Sequence, residues 1–243
     1  MRARGPADVV IIGAGVVGAA CAWWCVRAGL RVSVVDRGPV AGGTTGGGEG
    51  NVLVSDKPAG PELALARLSV RLWQEIADEV GGFEHWPKGG LVVAESGAAL
   101  GGLHEVGRGQ RALGVEAVAV PPERLPDYEP HLARDLAGGM YYPDDAQVQP
   151  MLAAARLLAA ARSRGAQVWT GTEVTGLLRD HEAVVGVQTD SGDLPAGAVV
   201  NAAGPWAREI AAMAGVSVPV QPRRGFVLVT EPLRPTVRHK VYA

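Results

Sequence analysis

The 243-residue chain holds only two cysteines, Cys21 and Cys25. Two are too few for a disulfide framework and, with no histidine pair beside them, too few for a structural zinc site. They stand one turn apart on an expected helix, where successive turns do not favour disulfide geometry, and they read as small buried hydrophobes. A chain of this size without a disulfide framework suits a reducing cytoplasm, the expected location. A surplus of one charge is also missing. With 23 Lys+Arg against 25 Asp+Glu, the net charge of −2 speaks against a nucleic-acid partner, whose phosphates call for a basic excess. His85, His104, His131, His181 and His239 are scattered without metal-ligand spacing. There is neither an internal repeat nor a low-complexity tail.

An unbroken membrane-length apolar run is lacking as well. Arg2 and Arg4 precede the apolar stretch from Val9 to Val26, which superficially resembles a signal peptide or a membrane helix. Asp8 stands where the hydrophobic region would begin, and Gly13, Gly15 and Gly18 interrupt it. What the chain does have is 47% hydrophobic and 20% charged residues, a composition that folds, and a length that fits one large domain or two small ones. It also has 34 glycines, about twice the ~7% of average usage. They follow no collagen period and gather in short runs, as backbone does where it must approach something closely.

The first run is the most informative. Val9-Val10-Ile11-Ile12 is a β-branched strand that enters Gly13-Ala14-Gly15-Val16-Val17-Gly18. Ala19 to Arg27 reads as a helix with Gly29 just past its end, and Arg31 to Val35 as a second strand closed by Asp36. In such a unit the first glycine permits a tight turn, the second lets backbone approach a pyrophosphate, and the third lets helix and strand pack closely. The helix N-terminus offers N–H groups and a partial positive charge to phosphates. Asp36 sits where an acid meets ribose hydroxyls, and its charge disfavours a 2′-phosphate. These residues predict a dinucleotide site and leave NAD and FAD both open.

The segment after Asp36 bears on that choice. An NAD enzyme would pass into an ordinary crossover helix. Here Arg37-Gly38-Pro39-Val40 leads instead into Ala41-Gly42-Gly43-Thr44-Thr45-Gly46-Gly47-Gly48-Glu49-Gly50-Asn51. Such a loop offers hydroxyls and close N–H groups to a long, extended cofactor, or else serves as a flexible linker.

Together with Tyr141-Tyr142-Pro143-Asp144-Asp145-Ala146-Gln147-Val148-Gln149-Pro150, Thr172-Glu173-Val174-Thr175-Gly176 and Val199-Val200-Asn201-Ala202-Ala203-Gly204-Pro205-Trp206-Ala207, these motifs resemble the D-amino-acid-oxidase-type flavoproteins. That family includes glycine oxidase, sarcosine oxidase and D-amino-acid dehydrogenases. The resemblance implies an α/β fold in which a Rossmann-like FAD-binding domain is interleaved with an α+β substrate domain on a mixed sheet, incomplete at the C-terminus. It implies FAD as cofactor and hydride transfer to flavin from the CH–NH bond of a small amino-acid substrate. By the same resemblance, Gly13, Gly15, Val16, Val17 and Gly18 lie along the pyrophosphate, and Asp36 and Arg37 meet the adenosine ribose and its surroundings. Thr44, Thr45, Gly48, Glu49 and Gly50 line the phosphate, ribityl and flavin side. Val174 holds the adenine edge through its backbone, and Ala203 and Gly204 let the second turn approach the cofactor. The alternatives are a flavin-binding subunit without its own turnover and an NAD-dependent dehydrogenase. No catalytic residue is named.

The expected division is residues 1–57 and 146–215 for the FAD domain, with 58–145 and 216–243 for the substrate domain. Pro61 to Val80 reads as an amphipathic helix whose Leu65, Leu68, Leu72, Ile76 and Val80 stripe faces the core. Gly90 to Ala94 is an expected strand, Leu100 to Leu113 a weaker helix, Pro121 to Pro130 an irregular connection and Met151 to Arg164 a strong helix. Further strands begin at Gln167, Glu173, Ala183 and Ala198. Phe226 to Val229 is strand-like, Val237 to Ala243 opens another strand, and Arg223 and Arg224 read as a solvated strand end. Relatives in the resembled family continue beyond this point, so the chain reads as a fragment. Its open sheet edge calls for a homo-oligomer or a complementary subunit to cover it.

Overall fold

The computed structural model describes residues 5–243, so Arg2 and Arg4 lie outside the described residues. The elements in chain order begin with β1 (Ala7–Ile12), α1 (Val16–Arg27), β2 (Val32–Asp36), β3 (Asn51–Val52), α2 (Pro61–Glu79) and β4 (Gly90–Ala94). Next come α3 (Gly97–Ala112), β5 (Val118–Val120), α4 (Leu125–Tyr128), β6 (Gly138–Tyr142), β7 (Ala146–Gln147) and α5 (Pro150–Ser163). The chain then runs through β8 (Gln167–Thr170), β9 (Val174–Asp180), β10 (Ala183–Thr189), β11 (Leu194–Asn201), α6 (Ala207–Met213) and β12 (Lys240–Tyr242). These fall into two compact units, Met1–Glu49 with Gln149–Val227, and Gly50–Val148 with Leu228–Ala243.

The first unit is built on a six-stranded sheet of order β8-β2-β1-β11-β10-β9. β1 pairs in parallel with β2 and with β11, and β2 in parallel with β8, whereas β10 runs antiparallel to both β11 and β9. Parallel strands buried on both sides need continuous apolar runs, and Val9 to Ile12 and Val32 to Val35 supply them, Ser33 included among the buried positions. One side of the sheet is a cluster of Val10, Ile12, Val35, Val174, Val187, Leu194 and Ala196. α1 packs on α5, and its small buried Gly18, Ala19 and Ala22 bring it close to β1. Trp23 is fully buried and stacks under Arg164, while Cys21 and Cys25 are only half-buried, less than expected. Burial still raises both thiols above their ordinary range, which disfavours the reactive thiolate.

The second unit carries a four-stranded sheet of order β12-β4-β6-β5 and the two-stranded ladder β3-β7. β12 lies parallel to β4, and β6 antiparallel to both β4 and β5. Val54, Leu63, Val115, Ala117, Met140 and Tyr142 form its main core. Inside it the buried Gln110 amide donates to the carbonyls of Val54, Ser55 and Lys57 and accepts the Tyr142 hydroxyl at 2.7 Å. Burial pushes the Tyr142 phenol up to about 12, so it stays a donor.

The structure corrects three further expectations. In α2 the buried residues are Leu63 and Ile76, while Leu65 and Leu68 are exposed at 66% and 43%. Leu63, Ala66 and Val70 pack on the core in the first half of the helix, while Ile76 of the expected stripe is buried, so the stripe is wrong at Leu65 and Leu68 only. Phe226 to Val229 forms no strand and is exposed, because no described strand pairs with it. The Pro121–Pro130 connection contains a 3-10 turn, Pro122–Arg124, and α4. Among the described residues no helix is long and apolar enough to cross a membrane, and no group of three His, Cys, Asp or Glu side chains is placed to hold a metal.

Candidate functional site

In the first unit the strand order reverses at β1, with β2 on one side and β11 on the other. In open α/β sheets that reversal opens a crevice at the carboxyl ends of the strands. Three turns emerge there. Gly13 leaves β1 with a φ of +112°, its N–H bonded to the Val35 carbonyl at 2.8 Å. A Cβ on Gly13 would come within 2.8 Å of the Ala202 carbonyl carbon, so only glycine lets β1 and β11 run side by side into their turns. A Cβ on Gly18 would be driven into the Gly13 carbonyl, which fixes how closely α1 sits over the turn.

Gly15 caps α1 with extended backbone and no side-chain bond of its own. Thr45 supplies the missing acceptor, its Oγ1 taking the Val16 N–H at 3.0 Å. Thr45 therefore brings the glycine- and threonine-rich loop onto the positive end of α1. That loop is a succession of tight turns, Gly46 bonded back to Gly43, Gly47 to Thr44 and Gly48 to Thr45. Ala41 anchors its start, buried with φ +59° and bonded to the Ala14 carbonyl at 3.1 Å. Val17, in the first turn of α1, is 62% exposed, so the mouth of the helix is open to a ligand.

Asp36 closes β2 with its carboxylate turned to the glycine turn. Oδ2 accepts the Ala14 N–H at 2.7 Å, and Oδ1 accepts the Gly38 N–H at 2.8 Å. Each oxygen keeps lone-pair capacity for a ligand hydroxyl. The chain between β8 and β9 folds onto the same end, Thr172 N–H bonding the Asp36 carbonyl at 2.9 Å. Val174 follows, its side chain in the core, which leaves its backbone as the part able to meet a ligand. After β11, Ala203 packs against the same core and Gly204 takes φ +55° with open space where a Cβ would stand.

Gly13, Gly15, Val16, Val17, Gly18, Asp36, Arg37, Thr45, Val174, Ala203 and Gly204 thus gather around these turns. Thr44, Gly48 and Glu49 lie exposed on the loop, and Gly50 belongs to the second unit, where it accepts the Val148 N–H. The geometry adds two partners that the sequence reading left without a role. Arg37 lies over the Trp206 ring at 4.6 Å and 3.5 Å from Glu173. The signal for Trp206 was an aromatic directly after a Gly-Pro turn. In the second unit, Asn51, Asp56, Lys57, Leu65 and Trp73 help line a groove of about 350 Å³, which accounts for one of the exposed leucines of α2.

A glycine turn with no room for side chains, a helix N-terminus and an acid with spare lone pairs suit a dinucleotide diphosphate and ribose. Comparison with known proteins agrees. Residues 8–242 match the family described as FAD dependent oxidoreductase, DAO. The bifunctional protein ThiO/ThiG of Trichormus variabilis is 33% identical over 231 residues, covering 91% of this chain and 34% of that protein. One component of the anaerobic glycerol-3-phosphate dehydrogenase of Escherichia coli K12 is 31% identical over 230 residues, covering 92% of this chain and 42% of that component. The crystal structure of glycine oxidase from Geobacillus kaustophilus superposes with a TM-score of 0.82 at 30% identity, covering 87% of this chain and 59% of that one. The chain therefore spans less than two thirds of each of these relatives.

Proposed function

The chain belongs to the DAO family of FAD-dependent oxidoreductases, and from that premise we propose that it oxidises the CH–NH bond of a small amino acid or N-methyl amino acid. Glycine, sarcosine, a D-amino acid or D-proline is the substrate class. The observation that carries its cofactor half is the Gly13–Gly18 turn under α1, with Asp36 facing it, a cradle that added side chains would fill. The amine half is supported by the likeness to glycine oxidase. FAD, when bound, supplies the hydride acceptor.

The chain's own residues do the holding. The Val16 N–H is held by Thr45 and the Gly13 N–H by Val35. The helix dipole and the other N–H groups of the turn meet the pyrophosphate, whose path runs along Gly13, Gly15, Val16, Val17 and Gly18. Asp36 takes ribose hydroxyls on the lone pairs that Ala14 and Gly38 leave, with Arg37 beside it. Val174 offers backbone to the adenine edge, and Ala203 and Gly204 keep the second turn low. Thr44, Thr45, Gly48 and Glu49 line the path towards the flavin. Loss of hydride from carbon and a proton from nitrogen leaves an imine, which water converts to an oxo acid and ammonia or an amine. The glycine oxidase relative favours an amine substrate, and the glycerol-3-phosphate dehydrogenase relative gives the competing alcohol reading its place.

The test is reconstitution with FAD, removal of free cofactor, and anaerobic titration with glycine, sarcosine, D-proline, D-alanine and glycerol 3-phosphate. Retained flavin absorbance that an amine bleaches is the expected result. Bleaching by glycerol 3-phosphate alone overturns the amine class, and retained flavin that nothing bleaches points to a binding subunit without turnover. A colourless protein after reconstitution ends the flavin reading.

A further inference from the structure

Arg37 follows Asp36 at the end of β2, where an arginine side chain would ordinarily extend into water. The side chain is about half exposed at 49%, and its guanidinium lies 4.6 Å from the centroid of the Trp206 ring and 3.5 Å from Glu173 Oε1. Three separate segments meet on this one side chain: the end of β2, the link from β8 to β9, and the 3-10 turn Gly204–Trp206 that follows β11. They are the segments that carry Asp36, Val174 and Gly204. The Trp206 ring also lies over Gly43, where an added Cβ would stand 3.4 Å from the ring edge. Trp206 nevertheless remains 41% exposed, so core burial does not account for its position.

We propose that Trp206 is a positioning residue for the adenosine half of the dinucleotide, acting through Arg37. Cation–π stacking holds the guanidinium beside Asp36 and the start of β9 before ligand arrives. A long, flexible side chain fixed in advance loses less freedom on binding, and that saving is read as affinity. The inference rests on the dinucleotide reading above and adds to it a residue and a mode of action.

ADP is the discriminating probe, since it carries adenosine and diphosphate without flavin. Calorimetric titration of the full chain with ADP and with FAD is run on wild type, Trp206→Phe, Trp206→Ala, Arg37→Met and the Arg37→Met/Trp206→Ala pair, each first shown folded by circular dichroism. Trp206→Ala weakens both ligands by about threefold to fivefold, the size of a half-exposed cation–π contact. Trp206→Phe, which keeps a ring under the guanidinium, stays within about twofold of wild type. The double variant binds no more weakly than the weaker single variant, because both remove one stack. Trp206 emission, taken as wild type minus Trp206→Phe, changes as ADP saturates. A purely structural tryptophan would lower the melting temperature and leave ADP affinity alone. ADP affinity of Trp206→Ala within about twofold of wild type overturns the proposal, as do single-variant losses that multiply in the double variant. If wild type binds FAD and ADP while Trp206→Ala matches it, only the stack is overturned; if wild type binds neither, the dinucleotide reading goes with it.

Discussion

Replacing Gly18 by alanine tests the geometry on which the cofactor cradle depends. The new Cβ would be forced into the Gly13 carbonyl oxygen and lie 3.0 Å from its carbon and 3.4 Å from Ile11 Cγ2. The obstructing group is backbone, so no side-chain rotation relieves the overlap and α1 must lift from β1. Overpacking of this kind costs about 1–3 kcal/mol, and the absence of a flexible neighbour places this site near the upper figure. Alanine in place of glycine inside a helix returns about 1 kcal/mol of propensity. The net loss is about 2 kcal/mol, or about 4–8 °C in melting temperature at about 2–4 °C per kcal/mol. Lifting α1 also moves its N-terminus from the turn, so FAD affinity falls together with stability. Gly102 in α3 provides the control, because a Cβ there meets nothing within 4 Å. Gly102→Ala gains about 0.5–1 kcal/mol from propensity alone. Urea unfolding and FAD titration of the two variants check both signs. Gly18→Ala with wild-type stability and wild-type FAD affinity would falsify the close-packing account of the motif.

Thr45→Ala removes the acceptor from the Val16 N–H and lowers stability by about 1 kcal/mol in urea unfolding, while Thr45→Ser keeps it; equal losses in both would show that the methyl, and not the hydroxyl, matters. Leu63→Ala costs about 2–5 kcal/mol and Leu65→Ala stays within about 0.5 kcal/mol, so a reversed order in thermal melts would mean α2 faces the other way. Asp145 gives a pH signature. It is fully buried, and burial raises its carboxyl above the ordinary range despite hydrogen bonds from Val54, Ser55 and Tyr242. The folded state then binds the proton more tightly than the unfolded state, whose carboxyl titrates near about 3.9. The stabilisation is full below that value and is lost as pH rises through the raised one. The stability of wild type relative to Asp145→Asn should therefore fall as urea midpoints are followed upward from about pH 4. A difference that grows with pH means that the hydrogen bonds outweigh burial.

The amphipathic helix α2 shows where sequence reasoning stopped short. Its apolar residues fit two overlapping helical faces, one through Leu65, Leu68 and Leu72 and one through Leu63, Ala66 and Val70. Periodicity ranks them by hydrophobicity alone. The core presented by Val54, Val115, Met140 and Tyr142 selects the second in the first half of the helix, while Ile76 of the expected stripe is buried further along. Phe226 to Val229 failed for a related reason. Strand propensity describes what a segment suits, whereas a strand exists only when a neighbour takes its N–H and C=O groups.

The strand, the glycine turn, the helix and the acid at the end of β2 were legible from the chain alone, because each depends on contacts within a few residues or on glycine's freedom of φ. The motifs around Val174 and Gly204 were legible only through their resemblance to the family. Only the folded chain decided that Thr45 caps α1, that Arg37 joins Trp206 and Glu173, and that Asp145 is buried with Ser55 and Tyr242. Those partners are separated by tens of residues or more, and no local pattern encodes which distant side chain completes a donor, a cation or a buried acid.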